Sequence, residues 1–168
     1  METTSGIARR AWHLAEEGAL DAAIVEYERA LAVADERTDL WEIHGELGMV
    51  LAKARQFDRA IAHHRLAADA ALQQGEDPYS HAVQVERYFT AVLLLEMGRP
   101  MDALEEIAEA VSSQLAQGYV LTAQAQALSA LGDYDRARSA AVRALERAQS
   151  DKQRERIREQ LRDILQRG

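Results

Sequence analysis

The sequence predicts an all-α chain: a stack of antiparallel helix pairs closed by one further helix at the C-terminus. Three observations predict it. A unit that sets a small and a large residue on one helix, and evenly spaced alanines on the next, recurs four times. Hydrophobic residues make up 48% of the 168 positions but aromatics only 5%, so helices must meet through alanine rather than through rings. Proline occurs only at Pro78 and Pro100, each beside a glycine-bearing break.

The clearest unit is Leu121 to Ala148, LTAQAQALSALGDYDRARSAAVRALERA. Its turn is Gly132-Asp133-Tyr134. Small residues stand where two helices touch, Ala125 on the first and Ala137, Ala141 and Ala144 on the second, with Leu128, Leu131 and Leu145 supplying bulk at helical spacing. Such a pair cannot hide its own apolar face and must stack. The second-helix tag reads Leu20, Ala23, Tyr27, Ala30; Phe57, Ala60, His64, Ala67; Pro100, Ala103, Ile107, Ala110; and Tyr134, Ala137, Ala141, Ala144. Its leading alanines lie 37, 43 and 34 residues apart, and twelve and nine positions before them come Ala11 and Leu14, Gly48 and Leu51, Ala91 and Leu94, Ala125 and Leu128.

In chain order, Thr3, Thr4 and Ser5 offer an N-cap for a helix reaching Glu17 and closed by Gly18. The second helix is expected from Leu20 to about Glu36. Asp39 with Glu42 reads as a capping box for a third, reaching Ala54, and Phe57 to Gln74 forms the fourth, ended by Gly75. Glu76-Asp77-Pro78 is the strongest break, with Pro78 pre-set for the first turn of a helix to Met97. Pro100 opens the next, expected to reach Gln117 and Gly118, and the fourth pair follows. The hairpins thus occupy about 4–37, 39–75, 77–117 and 118–149. Segment 150–168 is of another kind: Ser150 and Gln153 form a capping box, and Ile157, Leu161, Ile164 and Leu165 draw a narrow apolar stripe among charges, as a capping helix needs. The competing expectation is that this stripe self-associates.

The small–large pair followed by Ala, large, Ala resembles the tetratricopeptide repeat (TPR), over roughly Thr4 to Gln149. The resemblance implies a right-handed α-solenoid of helix pairs with a C-terminal solvating helix. Departures are the first large helix-A position, which is Ile7, His44, Arg87 and Leu121, and the following leucine position, which is Arg10, Leu47, Thr90 and Gln124. It further implies a concave groove lined by Ser5, Ala8, Trp12 and Ala15; Glu42, Gly45, Met49 and Ala52; Val85, Tyr88, Val92 and Leu95; and Tyr119, Thr122, Gln126 and Ser129. Glu16, Glu42, Glu46 and Glu96 would edge it, with Lys53 the one nearby amine. Members that read acidic chaperone tails use basic clusters there; the matching positions here are Ala8, Trp12, Glu46, Val85 and Phe89, which disfavours that target.

The formal charge is −8, with 28 acidic against 20 basic residues, and the pI is near 5.2. From Ser150 onward six basic residues face four acidic ones, so the rest of the chain carries about −10. That field opposes nucleic acid as a partner and suits an apolar, neutral-to-basic peptide. The most apolar run, Ala91 to Leu95, stops at Glu96, far short of a membrane span. With no cysteine and no signal-like start, a bacterial-type cytoplasm is the expectation.

Reactive constellations are not evident. His13, His44, His63, His64 and His81 are the candidates for metal or base work, but His63 and His64 diverge by about 100° on a helix. His64 stands where other copies carry Tyr27, Ile107 and Ala141, so it reads as core. His44-Gly45-Glu46 lacks a zinc-helix partner, Glu16-Glu17 and Glu105-Glu106 read as wetted faces, and no glycine-rich loop precedes a Lys-Ser/Thr. No catalytic residue, cofactor or metal is expected. The leading expectation is a non-catalytic interaction module binding a peptide or helix through Trp12, Glu16, Glu42, Gly45, Met49, Lys53, Tyr88, Val92, Tyr119 and Gln126. The alternatives are a small secretion-type or assembly chaperone holding a client, and a homodimeric scaffold built through Ile157, Leu161, Ile164 and Leu165.

Overall fold

Alanine spacing and turn chemistry together set the helix pairs. The computed structural model describes residues 3–36 and 38–166. Among these there are ten helices: α1 (Thr4–Glu16), α2 (Leu20–Ala32), α3 (Leu40–Lys53), α4 (Phe57–Gln73), α5 (His81–Glu96), α6 (Pro100–Ser112), α7 (Gly118–Ala130), α8 (Tyr134–Glu146), α9 (Asp151–Gln160) and α10 (Arg162–Gln166). The chain divides into two compact units, Met1–Glu76 with α1 to α4 and Asp77–Gly168 with α5 to α10.

The four turns inside the helix pairs share one hydrogen-bond pattern. The amide N–H groups of Ala19, Gln56, Arg99 and Asp133 donate to the carbonyls of Leu14, Leu51, Leu94 and Leu128 at 2.8 to 3.0 Å. One residue earlier, Gly18, Arg55, Gly98 and Gly132 donate to Ala15, Ala52, Leu95 and Ser129. This is the Schellman closure, which requires positive φ at its fifth residue. Gly18, Gly98 and Gly132 supply it at 82°, 71° and 81°; the turn from α3 to α4 instead holds Arg55 at 59°, its guanidinium 4.9 Å from the centre of the Phe57 ring. The leucines singled out by spacing therefore serve twice, as packing side chains and as the carbonyls that end helix A.

Packing follows the tag. Ala23, Tyr27 and Ala30; Ala60, His64 and Ala67; Ala103, Ile107 and Ala110; and Ala137, Ala141 and Ala144 are all buried, as are Ala11, Gly48, Ala91 and Ala125 on the facing helices. Two of the departures are surface positions with ion pairs: Arg10 meets Glu26 at 2.5 Å and Arg87 meets Glu109 at 2.9 Å, each joining the two helices of one pair. Leu131, expected as core, is 42% exposed, because it caps the end of α7 instead of facing α8.

Several boundaries move for local reasons. The second helix ends at Ala32 rather than Glu36, since Asp35 and Thr38 close a side-chain turn at 3.0 Å and the Thr4 hydroxyl donates to the Val33 carbonyl. Asp39 makes no side-chain cap to α3, so the expected box with Glu42 does not form. The helix expected from Pro78 begins at His81: Asp77 accepts from the Tyr79 amide at 2.7 Å, and Ser80 caps by accepting from Val83. Helix α6 stops at Ser112, five residues early. Its carbonyl Glu109 is taken by the Ser112 hydroxyl, and the Gln117 amide is taken by the buried Gln84 side chain. Gly118, expected as a terminator, starts α7 in a site where an added Cβ would lie 3.1 Å from the Ala144 carbonyl oxygen and 3.3 Å from Ile157 Cδ1.

The C-terminal helix forms and caps its own unit. Ser150 accepts from the Gln153 amide at 3.2 Å, while the Gln153 side chain accepts from the Gln149 amide at 2.8 Å. The helix then breaks at Leu161 into α10, and both pieces pack on α7 and α8. Ile157 and Leu161 are buried there, and Ile164 and Leu165 are half-buried. The stripe thus packs as the expected cap, and the chain itself covers much of the surface that the competing reading assigned to self-association.

Candidate functional site

The helix-A faces are the surfaces that the alanine contacts leave unused. In the first unit, α1 presents Ser5, Ala8 and Trp12, and α3 presents Glu42, Glu46 and Met49. Trp12 is 38% exposed and Met49 half-buried, while Glu16, Glu42 and Lys53 are exposed. Ala15 and Gly45 are buried and offer no surface, which corrects the expectation for both. A cavity of about 1060 Å³ lies wholly within this unit; its walls include Ser5, Ala8 and Trp12 of α1, Val33 and Asp35 after α2, and Asp39, Glu42 and Glu46 at α3.

Charge in this cavity is unbalanced. Glu42 and Glu46 stand four residues apart on one face of α3, a like-charged spacing that destabilises a helix. Burial pushes the Glu46 carboxyl up, and the Glu42 charge adds to it. Behind them the hydroxyl of fully buried Tyr27 makes no hydrogen bond of normal geometry; burial, then Glu46 beside it, pushes its ionisation well up. Arg29, which also lines the cavity, is held by Glu26 at 3.2 Å, and His13 lies 3.4 Å from Glu16.

In the second unit the corresponding face is aromatic. Tyr88 and Tyr119 meet edge to face at 5.2 Å, Tyr88 lies 5.4 Å from Phe89, and the Tyr119 hydroxyl is 3.0 Å from His81 Nδ1. Burial pushes both phenols up, against a smaller opposing pull on Tyr88 from the Arg156 cation of α9. Val92, Gln126, Val85, Leu95 and Ser129 are half-buried, Glu96 is exposed, but Thr122 is buried and donates to the Gly118 carbonyl, so it too leaves the expected lining. Buried Gln84 lies beneath this region: its amide donates to Tyr79 and Leu115 carbonyls at 2.6 and 3.1 Å and its oxygen accepts from the Gln117 amide at 3.0 Å.

The histidines separate into two kinds. His64 is 1% exposed and its ring fills the space over Gly48, where an added Cβ would come within 2.8 Å of it. His63 has a partner that its spacing from His64 did not suggest. Its Nδ1 lies 2.9 Å from Nδ1 of His44 on α3, with ring centres 5.1 Å apart. Burial lowers both; for His63 the His44 charge adds to it, down to about 4, so the pair is neutral at pH 7 and one ring donates to the other. The signal was available: His44 occupies the inward position held by Ile7 and Leu121 in other copies. Among the described residues no three His, Cys, Asp or Glu side chains gather as a metal site would need, and no helix is long and apolar enough to cross a membrane.

Helix pairs closed by Schellman turns, with buried alanines on helix B and an open helix-A face, define the tetratricopeptide-repeat fold. Solved structures agree. The chain is similar to MamA AMB-1 at 20% identity and a TM-score of 0.67, covering 87% of this chain and 79% of that one. It is similar to PilF of Pseudomonas aeruginosa at 19% identity and a TM-score of 0.68, over 98% and 72% of the two chains. It is also similar to YrrB, described as a TPR protein with an unusual peptide-binding site, at 16% identity and a TM-score of 0.62, over 97% and 87%. No known family profile matches the chain, and no curated protein matches it.

Proposed function

We propose that this chain is a non-catalytic adaptor that holds a segment of another protein, an extended peptide or a helix, against its helix-A faces. The observation carrying this is the division of labour within each unit. The tag alanines of helices B, from Ala23 to Ala144, are all buried, whereas Trp12, Met49, Tyr88, Val92 and Tyr119 on helices A remain partly open. The peptide-binding site described for YrrB supports the same use of the fold. A formal charge of −8 favours a neutral-to-basic protein segment over nucleic acid.

The test is affinity capture from the native cell with the wild-type chain, Met49→Glu and Tyr88→Glu, each checked for helicity. Loss of a captured partner is expected from at least one variant, each reporting on the helix-A face of its own unit. Retention of that partner by both, at wild-type yield, removes the helix-A faces as its docking surface.

A further inference from the structure

The cavity between α1 and α3 holds more than an apolar face requires. Besides Asp35, which already has partners of its own, the carboxylates of Asp39, Glu42 and Glu46 line it. Of the cationic side chains that also line it, Arg29 is tied to Glu26 and His13 lies beside Glu16, which leaves Arg9 at its exposed rim. Among the described residues neither Glu42 nor Glu46 has an ion-pair partner. The two repel at i, i+4 spacing, and Glu46 is half-buried, so each bears a cost that a cation placed between them would remove. The fully buried Tyr27 hydroxyl beside Glu46 is a neutral partner, so it leaves the charge of that carboxylate without a cation. On the opposite wall the Trp12 indole is partly open, a surface for an aliphatic stem and a π-face for its charge.

We propose that this cavity is the specificity pocket of the docking face and takes a lysine or arginine side chain of the bound segment, its stem on Trp12 and its head group at Glu42 and Glu46. The inference rests on the helix-A face being the docking surface, and it names the partner's chemistry: a basic amphipathic segment of another protein. Among the described residues no three ligands gather as a bare metal ion needs, and an anionic segment would meet Glu42 and Glu46.

The probes are three acetylated, amidated 14-residue peptides with leucine at helical spacing and either lysine, glutamine or glutamate between. Binding to the full chain is followed by calorimetry at low and at physiological salt. The lysine peptide is expected to bind at least tenfold tighter than the glutamine peptide, and the glutamate peptide not detectably. The double variant Glu42→Gln/Glu46→Gln should erase most of the lysine preference. The charge-matched control Glu105→Gln/Glu159→Gln should keep it, which separates this pocket from the overall field. Because the double neutralisation relieves repulsion, it should melt no lower than wild type, so loss of preference is not loss of fold. Equal affinity for lysine and glutamine peptides overturns the proposal, as does a preference that survives in the double variant or falls equally in the control. Trp12→Ala and Met49→Glu distinguish the levels: if they weaken the glutamine peptide while charge is immaterial, only the cation pocket falls. If they weaken none of the three, the docking face falls with it.

Discussion

The first unit, Met1–Glu76, and the second, Asp77–Gly168, carry the same alanine tag but differ in how their most prominent polar side chains are held. In the second, the polar side chain that departs from the pattern most deeply, Gln84, is fully buried and satisfied by three backbone groups, so it fixes the loop after α6 as firmly as a helix would. In the first, polar groups sit half-open and poorly compensated: the Glu42 and Glu46 carboxylates on one face of α3, and the His44–His63 pair between α3 and α4. A buried, saturated polar group defines structure. A half-open, uncompensated one has affinity left for something else, which is the ground for the pocket proposed at Glu42 and Glu46.

Four changes probe this contrast, and the two tryptophans help, since Trp12 and Trp41 both lie in the first unit and make indole emission its private reporter. Gln84→Leu should have the largest effect. It strands the Tyr79 and Leu115 carbonyls and the Gln117 amide, at about 3 kcal/mol. In urea, helicity by circular dichroism should be lost earlier than wild type while the indole transition moves less; equal shifts would mean that the units do not unfold separately.

Acid should act on the first unit instead. An ordinary histidine in the unfolded chain takes up its proton near 6.5, whereas folded His63 resists until about 4. Its contribution is therefore complete above pH 6.5 and is lost as pH falls from there toward 4, on the order of 2 kcal/mol after allowing for its half-open position. Indole-monitored melting points from pH 7.5 to 4.5 should show the fall, and His63→Gln should flatten it.

Gly48→Ala comes third, at about 1 kcal/mol. Helix propensity favours alanine, but the new Cβ would press on three atoms of the His64 ring at 2.8 to 2.9 Å. The same change at Gly118, where the tightest contact is 3.1 Å, should cost less, and thermal melts of the two variants compare them directly. Smallest is Arg55→Gly, expected to raise the melting point slightly, by about 0.5 kcal/mol, because positive φ favours glycine more than the Phe57 contact favours arginine.

By itself the sequence determined the helix pairs, their turns and the buried alanine seams, because those follow from spacing along one helix and from hydrogen bonds between residues at most five apart. It also located Trp12, Met49, Tyr88 and Tyr119 on helices A. Only the tertiary structure decided what crosses between helices: that His63 answers His44 rather than standing alone, that Gln84 ends α6 five residues early by capturing the Gln117 amide, that Gly45, Ala15 and Thr122 leave the surface, and that Ile157 and Leu161 are consumed as a cap. Such contacts join residues 19 to 39 positions apart, and a side chain's partner at that range is set by how neighbouring helices rotate and close, which periodicity along one helix does not encode.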